Sequence, residues 1–316
     1  MKALVQTAPH RLEIRDLPAP DTDVVRVAFC GVCGSDMHAY AGHDPRRPTP
    51  IVLGHEIVGT DTQGRAVAVN PLATCGTCAY CTSGRDNLCP DRRILSMPPR
   101  PGGFAQAVSA PEQYCVAIPD GVPLAAAALA EPLACGWHAV RLARRIAPLG
   151  HALVLGGGAI GTGAALALVA QGAQSVTVVE PNPARAERLS GLEGVVVTDA
   201  PTPAQTVIDA VGIDATRAAA FAAVRPGGVI AHIGLGGGVG GFDPRTATLQ
   251  EVTFFGTYTY TAEDFRETAA AIFDGRLPVT RHLDALVEIR PLADGPAVFA
   301  ALAAGSVAAP KVLLVP

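Results

Sequence analysis

The sequence predicts an α/β protein in two parts: a region of short β strands and a doubly wound parallel sheet. Three observations carry this. The first third alternates apolar and polar residues in short runs cut by Pro, Gly and Asp. Near Leu124 the composition shifts to an alanine-rich stretch of helix formers, LAAAALAEPLACGWHAVRLARR. From Ala152 onward, strand and helix patterns alternate as crossover connections between parallel strands require. A length of 316 residues suits two domains.

In chain order, residues 2–6, 11–16 and 24–30 read as short strands, and 31–50 as loop. Strand character resumes at 51–59 and 66–70. A compact cysteine lobe follows at 75–90, and 103–119 alternates again. ALVLGGGAIGTGAALALVAQG reads as strand, turn and helix, and SVTVVE as a buried strand. PNPARAERL opens a helix with Pro near its first turn. VVVTDA, TVIDAVG, a helix over 215–223, GGVIAHIGL and EVTFFGTYTY continue the alternation. Helices at 262–274 and 293–304 and a closing strand, PKVLLVP, complete it.

Composition excludes several classes. Hydrophobic residues make up 49% and charged residues 16%, so the chain is not disordered. A net charge of −4 argues against a basic nucleic-acid face. Lysine occurs only at Lys2 and Lys311, which leaves no Walker A lysine and almost no candidate for Schiff-base chemistry. The N-terminus lacks the apolar core of a signal peptide. Residues 146–179 carry no charge over a length that suffices for a membrane span, but Gly156, Gly157 and Gly158 break the run. A strand, a glycine turn and a buried helix are expected there, and the expected location is cytoplasmic. Eight cysteines are too few for a disulfide scaffold, and their clustering points to metal in a reducing compartment.

Three constellations carry chemistry. Cys75, Cys78, Cys81 and Cys89 form C-x2-C-x2-C-x7-C, a spacing that lets one loop wrap a zinc ion in a closed, structural shell. An iron–sulfur cluster is the rival on spacing alone, since Cys89 precedes Pro90. Cys33, His55 and Glu56 supply a thiolate, an imidazole and a carboxylate, the mixed set of a catalytic zinc. A further ligand comes from EPLACGWH, where spacing does not choose between Glu131 and Cys135. Third, Gly156, Gly158 and Gly161 form G-x-G-x-x-G after a strand and at the start of a helix. Glu180 ends the next strand, 19 residues past Gly161, where an acid bonds adenosine ribose hydroxyls and disfavours a 2′-phosphate. Arg185 complicates that preference, because Arg also binds a 2′-phosphate.

In this order, with C-G-S-D-x-H at 33–38, G-H-E at 54–56 and E-P-L at 131–133, the motifs resemble the zinc-dependent medium-chain dehydrogenase/reductase family of alcohol, polyol and threonine dehydrogenases. The likeness runs from Lys2 to Val315. It implies a structural zinc on the cysteine lobe and a catalytic zinc held by Cys33, His55, Glu56 and Glu131, with Asp36 supporting the shell. Cys30, Cys115 and Cys135 are then plain thiols. It implies a GroES-like, partly open β-barrel over 1–136 and 258–316, an inserted Rossmann domain over 137–257, and a cleft between them. The candidate cofactor residues are Gly156, Gly158, Ile160, Gly161, Glu180, Arg185, Val211, Ile233, Gly234 and Tyr258.

The implied reaction passes a hydride from a secondary alcohol to NAD, with the zinc lowering the alcohol's effective pKa. A relay carries the hydroxyl proton through Ser35 and the nicotinamide ribose to His38. The carboxylate ligands suggest a polyol, aminocyclitol or amino alcohol, with Tyr40, Trp137, Tyr258 and Tyr260 as pocket walls. The alternatives are an NADPH-dependent ketone or aldehyde reductase, and a non-enzyme that keeps only the lobe. A homodimer or homotetramer is expected, with VIAHIGL and EVTFFGTY as candidate pairing strands. Two departures stand out. Thr259 and Tyr260 occupy the place of an Arg-Tyr pair of polyol dehydrogenases. Residues 190–205 compress a helix-strand-helix stretch, which predicts a Rossmann helix shortened or lost.

Overall fold

The structure, a computed structural model, describes residues 1–316. It divides into two compact units. One comprises Met1–Glu131, Thr261–Asp274 and Val287–Pro316, the other Pro132–Tyr260 and Gly275–Leu286. The segment Gly275–Leu286, which the sequence reading put in the catalytic part, thus groups with the Rossmann part. Arg188 anchors it there by donating to the Asp284 carbonyl at 3.1 Å.

The first unit is built of short strands. Lys2–Ala8 pairs antiparallel with Arg11–Asp16 and with Ile51–Val52. A seven-stranded sheet runs Cys115–Ala117, Ala66–Val69, Glu56–Thr60, Val24–Gly31, Lys311–Val315, Val287–Pro291, with Ala107–Ser109 also on Val24–Gly31. Their inward residues, among them Leu4, Leu53, Ile57, Phe104, Phe299 and Leu314, form one core. Tyr40, expected as a pocket wall, belongs to that core: its ring lies 5.2 Å from Phe299 and 5.0 Å from His10. The C-terminal strand inserts beside Val24–Gly31, with Leu313 opposite Gly31 and Leu314 opposite Cys30. This carries Lys311 into the unit's interior.

The loop expected at 31–50 contains a helix, Gly34–Tyr40. Gly, Ser and Asp at its start are poor helix formers, and seven residues show no readable period. The Asp36 carboxylate stabilises its first turn by accepting from the Cys33 N–H at 3.0 Å.

The second unit holds a six-stranded parallel sheet in the order Val195–Thr198, Ser175–Val179, His151–Leu155, Ala204–Asp209, Val224–His232, Thr253–Gly256. This is the Rossmann order. All six strands survive the compression. What is lost is the helix between the first and fourth of this list, since residues 199–203 join them with no helix. That connection must recross three strand spacings and a strand's length, about 22 Å, in six Cα steps of about 3.6 Å. It therefore runs nearly straight, and Pro201 and Pro203 suit an extended path. Val196 is left 59% exposed on the outermost strand.

Two helices of this unit, Ala130–Ile146 and Ala159–Ala170, meet through glycine. A Cβ on Gly136 would lie 2.4 Å from the Ala164 nitrogen and 2.6 Å from the Gly163 carbonyl carbon. Backbone atoms cannot yield as a flexible side chain does. Gly136→Ala is therefore expected to destabilise the protein by about 3 kcal/mol, read as a lowered urea midpoint.

Candidate active site

The cysteine lobe forms around a short helix, Ala79–Thr82, and a 3₁₀ turn, Asp86–Leu88. The four Sγ atoms lie within 4.8 Å of one another. Cys78 and Cys81 are 3.5 Å apart, and Cys89 and Cys75 3.6 Å. Backbone N–H groups of Thr77 and Cys78 pull the Cys75 thiol down to about 6. Burial and the Cys78 thiol push Cys81 up to about 11. Four soft donors facing one point fit a tetrahedral zinc site. The lobe also reaches outward: the Asp86 carboxylate accepts from the Ala262 N–H at 3.1 Å and so caps the helix Ala262–Phe273.

The second cluster lies within the same unit. The ligand atoms of Cys33, His55 and Glu56 lie within 4.8 Å of one another. Cys33 follows the strand Val24–Gly31, and Glu56 starts the strand beside it, so sheet pairing brings them together. Asp36 is fully buried and organises this corner. One oxygen accepts from Cys33 N–H, the other from Gly54 N–H at 3.2 Å, and the latter faces His55 Nδ1 at 3.6 Å. With Nδ1 turned to Asp36, Nε2 of His55 is free to ligate. Burial opposes a charged Asp36, but His55 and Arg47 hold its carboxyl below the usual range. Burial likewise opposes the His55 imidazolium, yet Asp36 and Cys33 outweigh it and hold its pKa well above the ordinary value.

Glu56 is the decisive residue. Its Oε1 accepts from Lys311 Nζ at 2.5 Å, while its Oε2 is buried with no partner. Lys311 also donates to the Val32 carbonyl at 2.9 Å. An unpaired carboxylate oxygen in the interior is unfavourable unless a cation meets it. The Glu56 carboxylate stands beside a thiol and an imidazole, so the donor set fits zinc. Glu131 is buried at the start of the helix Ala130–Ile146. Burial lowers the Lys311 pKa, but Glu56, Cys33 and Glu131 together raise it above its ordinary value. Cys30 is a different kind of thiol, pushed up by burial and by the carboxylates of Asp36 and Glu56. Ser35 is half-buried and His38 exposed, three residues apart on the helix Gly34–Tyr40 and so on one face.

In the second unit, Gly156, Gly157 and Gly158 join the strand His151–Leu155 to the helix Ala159–Ala170. A Cβ at Gly161 would lie 1.7 Å from the Gly156 carbonyl oxygen, so only glycine permits the turn. No side chain caps this helix, and a Cβ at Gly158 would meet nothing within 4 Å. Open space before uncapped N–H groups fits a pyrophosphate. Glu180 is buried. It accepts from Gly157 N–H at 2.9 Å, Asn182 N–H at 2.8 Å and Arg185 at 3.2 Å. Val211 abuts Gly156, and Gly234 abuts Val211 and Gly212, so the loops after three strands meet at one end of the sheet. Ile233 and Gly234 both donate to the Asp209 carbonyl at 3.0 Å. Ile160 stands in the first turn of the helix, and Tyr258 is half-buried just past the strand Thr253–Gly256.

Comparison with known proteins agrees with this arrangement. The Alcohol dehydrogenase GroES-like domain model matches residues 19–120, and the Zinc-binding dehydrogenase model matches residues 159–274. The chain belongs to the zinc-dependent medium-chain dehydrogenase family. It is 33% identical to L-galactonate-5-dehydrogenase of Escherichia coli, covering 88% of each chain. It is 32% identical to sorbitol dehydrogenase of Bacillus subtilis, covering 74% of this chain and 75% of that one. Among solved structures, a zinc-binding dehydrogenase of Sinorhizobium meliloti 1021 bound to NADP superposes with a TM-score of 0.88. It is 26% identical over 100% of this chain and 99% of the other. This medium-chain dehydrogenase is thus an enzyme acting on alcohol groups with zinc and NAD(P). No helix is long and apolar enough to cross a membrane.

Replacing Lys311 by Met leaves Glu56 as an uncompensated buried charge. Urea unfolding is expected to show a loss of about 3–5 kcal/mol, most of it recovered in the Lys311→Met/Glu56→Gln double variant.

Proposed function

We propose that this chain oxidises a secondary alcohol on a polar, multiply hydroxylated or aminated frame to the ketone, using NAD. The observation that carries this is the clustering of Cys33, His55 and Glu56, whose buried carboxylate keeps one oxygen unpartnered. Cys33, His55, Glu56 and Glu131 form the catalytic zinc set, and Cys75, Cys78, Cys81 and Cys89 hold a structural zinc. When bound, zinc supplies Lewis-acid stabilisation of charge developing on the alcohol oxygen, and NAD accepts the hydride. Asp36 orients His55 through Nδ1. The Ser35 hydroxyl receives the substrate proton, and exposed His38, at the end of the relay, releases it to solvent.

The polar substrate frame is supported by the carboxylates in the metal set and by relatives named for galactonate and sorbitol. NAD is supported by Glu180, whose buried carboxylate is held in place by two backbone N–H groups where a 2′-phosphate would be repelled. Gly156, Gly158, Ile160, Gly161, Arg185, Val211, Ile233, Gly234 and Tyr258 complete the cofactor site. The open edge of Thr253–Gly256, the last strand of its sheet, supports a homo-oligomer.

Two measurements test the reading. In a screen of polyols, aminocyclitols and amino alcohols, at least one compound reduces NAD⁺, and Cys33→Ser loses about 10³-fold or more of that turnover while still binding NADH. Turnover that survives Cys33→Ser contradicts the zinc chemistry. NADH is expected to bind about tenfold or more tightly than NADPH, a difference of about 1.4 kcal/mol. The reverse order supports an NADPH-dependent reductase instead.

A further inference from the structure

Arg47 lies in the 41–50 loop and belongs to neither metal set, although its charge helps to hold Asp36 ionised. Its neighbour Arg46 pairs with Asp44 on the surface, but the Arg47 side chain is only 2% exposed. A guanidinium stays charged wherever it is put, so its burial calls for a specific set of acceptors. Arg47 Nε donates to the Ser96 carbonyl at 3.0 Å. One terminal nitrogen donates to the Ser35 carbonyl at 2.8 Å and to Asp44 at 3.2 Å. The other stands 3.5 Å from Ser35 Oγ, beyond the usual N–H···O range of about 2.7–3.2 Å, so this contact is long.

Ser96 is itself unusual. It is fully buried with φ +68°, a left-handed conformation that costs a non-glycine residue about 1 kcal/mol or more. That conformation is held while its hydroxyl reaches within 3.4 Å of His55 Nδ1. One guanidinium therefore ties the residue carrying the relay hydroxyl to a residue that touches a metal-facing histidine.

We propose that Arg47 is a positioning residue that fixes the Ser35 hydroxyl for proton transfer. The inference rests on the reading of Ser35 as the relay group. A guanidinium only donates. The guanidinium offers Ser35 Oγ only N–H groups, so the Ser35 proton is directed away from Arg47, toward the next acceptor in the relay. A lone pair remains for the substrate hydroxyl. The bond to the Ser35 carbonyl holds the backbone in the same register, so both the place and the direction of the hydroxyl are set.

The test uses the zinc-loaded enzyme with Arg47→Lys and Arg47→Met, each made in the native and in the Ser35→Ala background. Lys keeps the buried charge but not the fork, so it remains readable if the Met variant does not fold. In the native background, kcat is expected to fall about tenfold or more and its solvent deuterium isotope effect to rise, with zinc content and NADH affinity unchanged. In the Ser35→Ala background the same substitutions are expected to change kcat less than about twofold. An equal fold-loss in both backgrounds overturns the proposal and leaves the relay standing. A Ser35→Ala enzyme with native kcat and isotope effect overturns the relay, and this proposal with it.

Discussion

Lys311 is one of two lysines in the chain, and it lies 4% exposed inside the first unit, with its ammonium on Glu56 Oε1 and the Val32 carbonyl. Glu56 and Glu131 act on it, and together with Asp36 they make three buried carboxylates in this unit. Asp36 is answered by backbone N–H groups, Arg47 and His55, and Glu56 by Lys311 on one oxygen only. One buried carboxylate oxygen, Glu56 Oε2, is thus left without a partner, and a cation beside it would meet that need. Binding free energy then adds to folding free energy, because the ligands come from separate strands that must already be paired. The last strand of the chain has to be in place as well, since it carries the lysine.

The second unit meets a different constraint. It is short of one crossover helix, yet the strand order needed for a dinucleotide site is intact. The shortened connection leads away from the outermost strand of the sheet. The glycine turn sits two strands inward, beside the loops carrying Val211 and Gly234. The end of the sheet where three loops meet therefore keeps its packing, and exposure falls on Val196, which has no role there.

Much of this was legible in the residues. The C-x2-C-x2-C-x7-C cysteines, G-H-E and G-x-G-x-x-G are local signals, and the structure brings Cys33 to His55 and Glu56. The strands of the Rossmann unit were readable because fully buried parallel strands are continuous apolar runs. Other features depend on distant pairing. The strand Val287–Pro291 is short and half-exposed, too brief to stand out in the sequence, and it takes its place by pairing with Lys311–Val315. EVTFFGTYTY promised a long strand, but only Thr253–Gly256 finds a partner in the sheet. Tyr40 stands among the expected pocket walls, whereas the helix turns it into the core. Arg47 and Ser96 gave no signal, because a buried guanidinium and a left-handed serine belong to no motif.

One chain brings together two ligand sets of different chemistry, a set of four cysteines and a mixed set of Cys33, His55 and Glu56. X-ray absorption at the zinc edge of the purified enzyme, with metal content measured on the same sample, tests this most directly. The account predicts about two zinc ions per chain, averaging about 2.5 sulfur ligands per metal with nitrogen and oxygen completing the shell. One zinc per chain with about four sulfur ligands would contradict it.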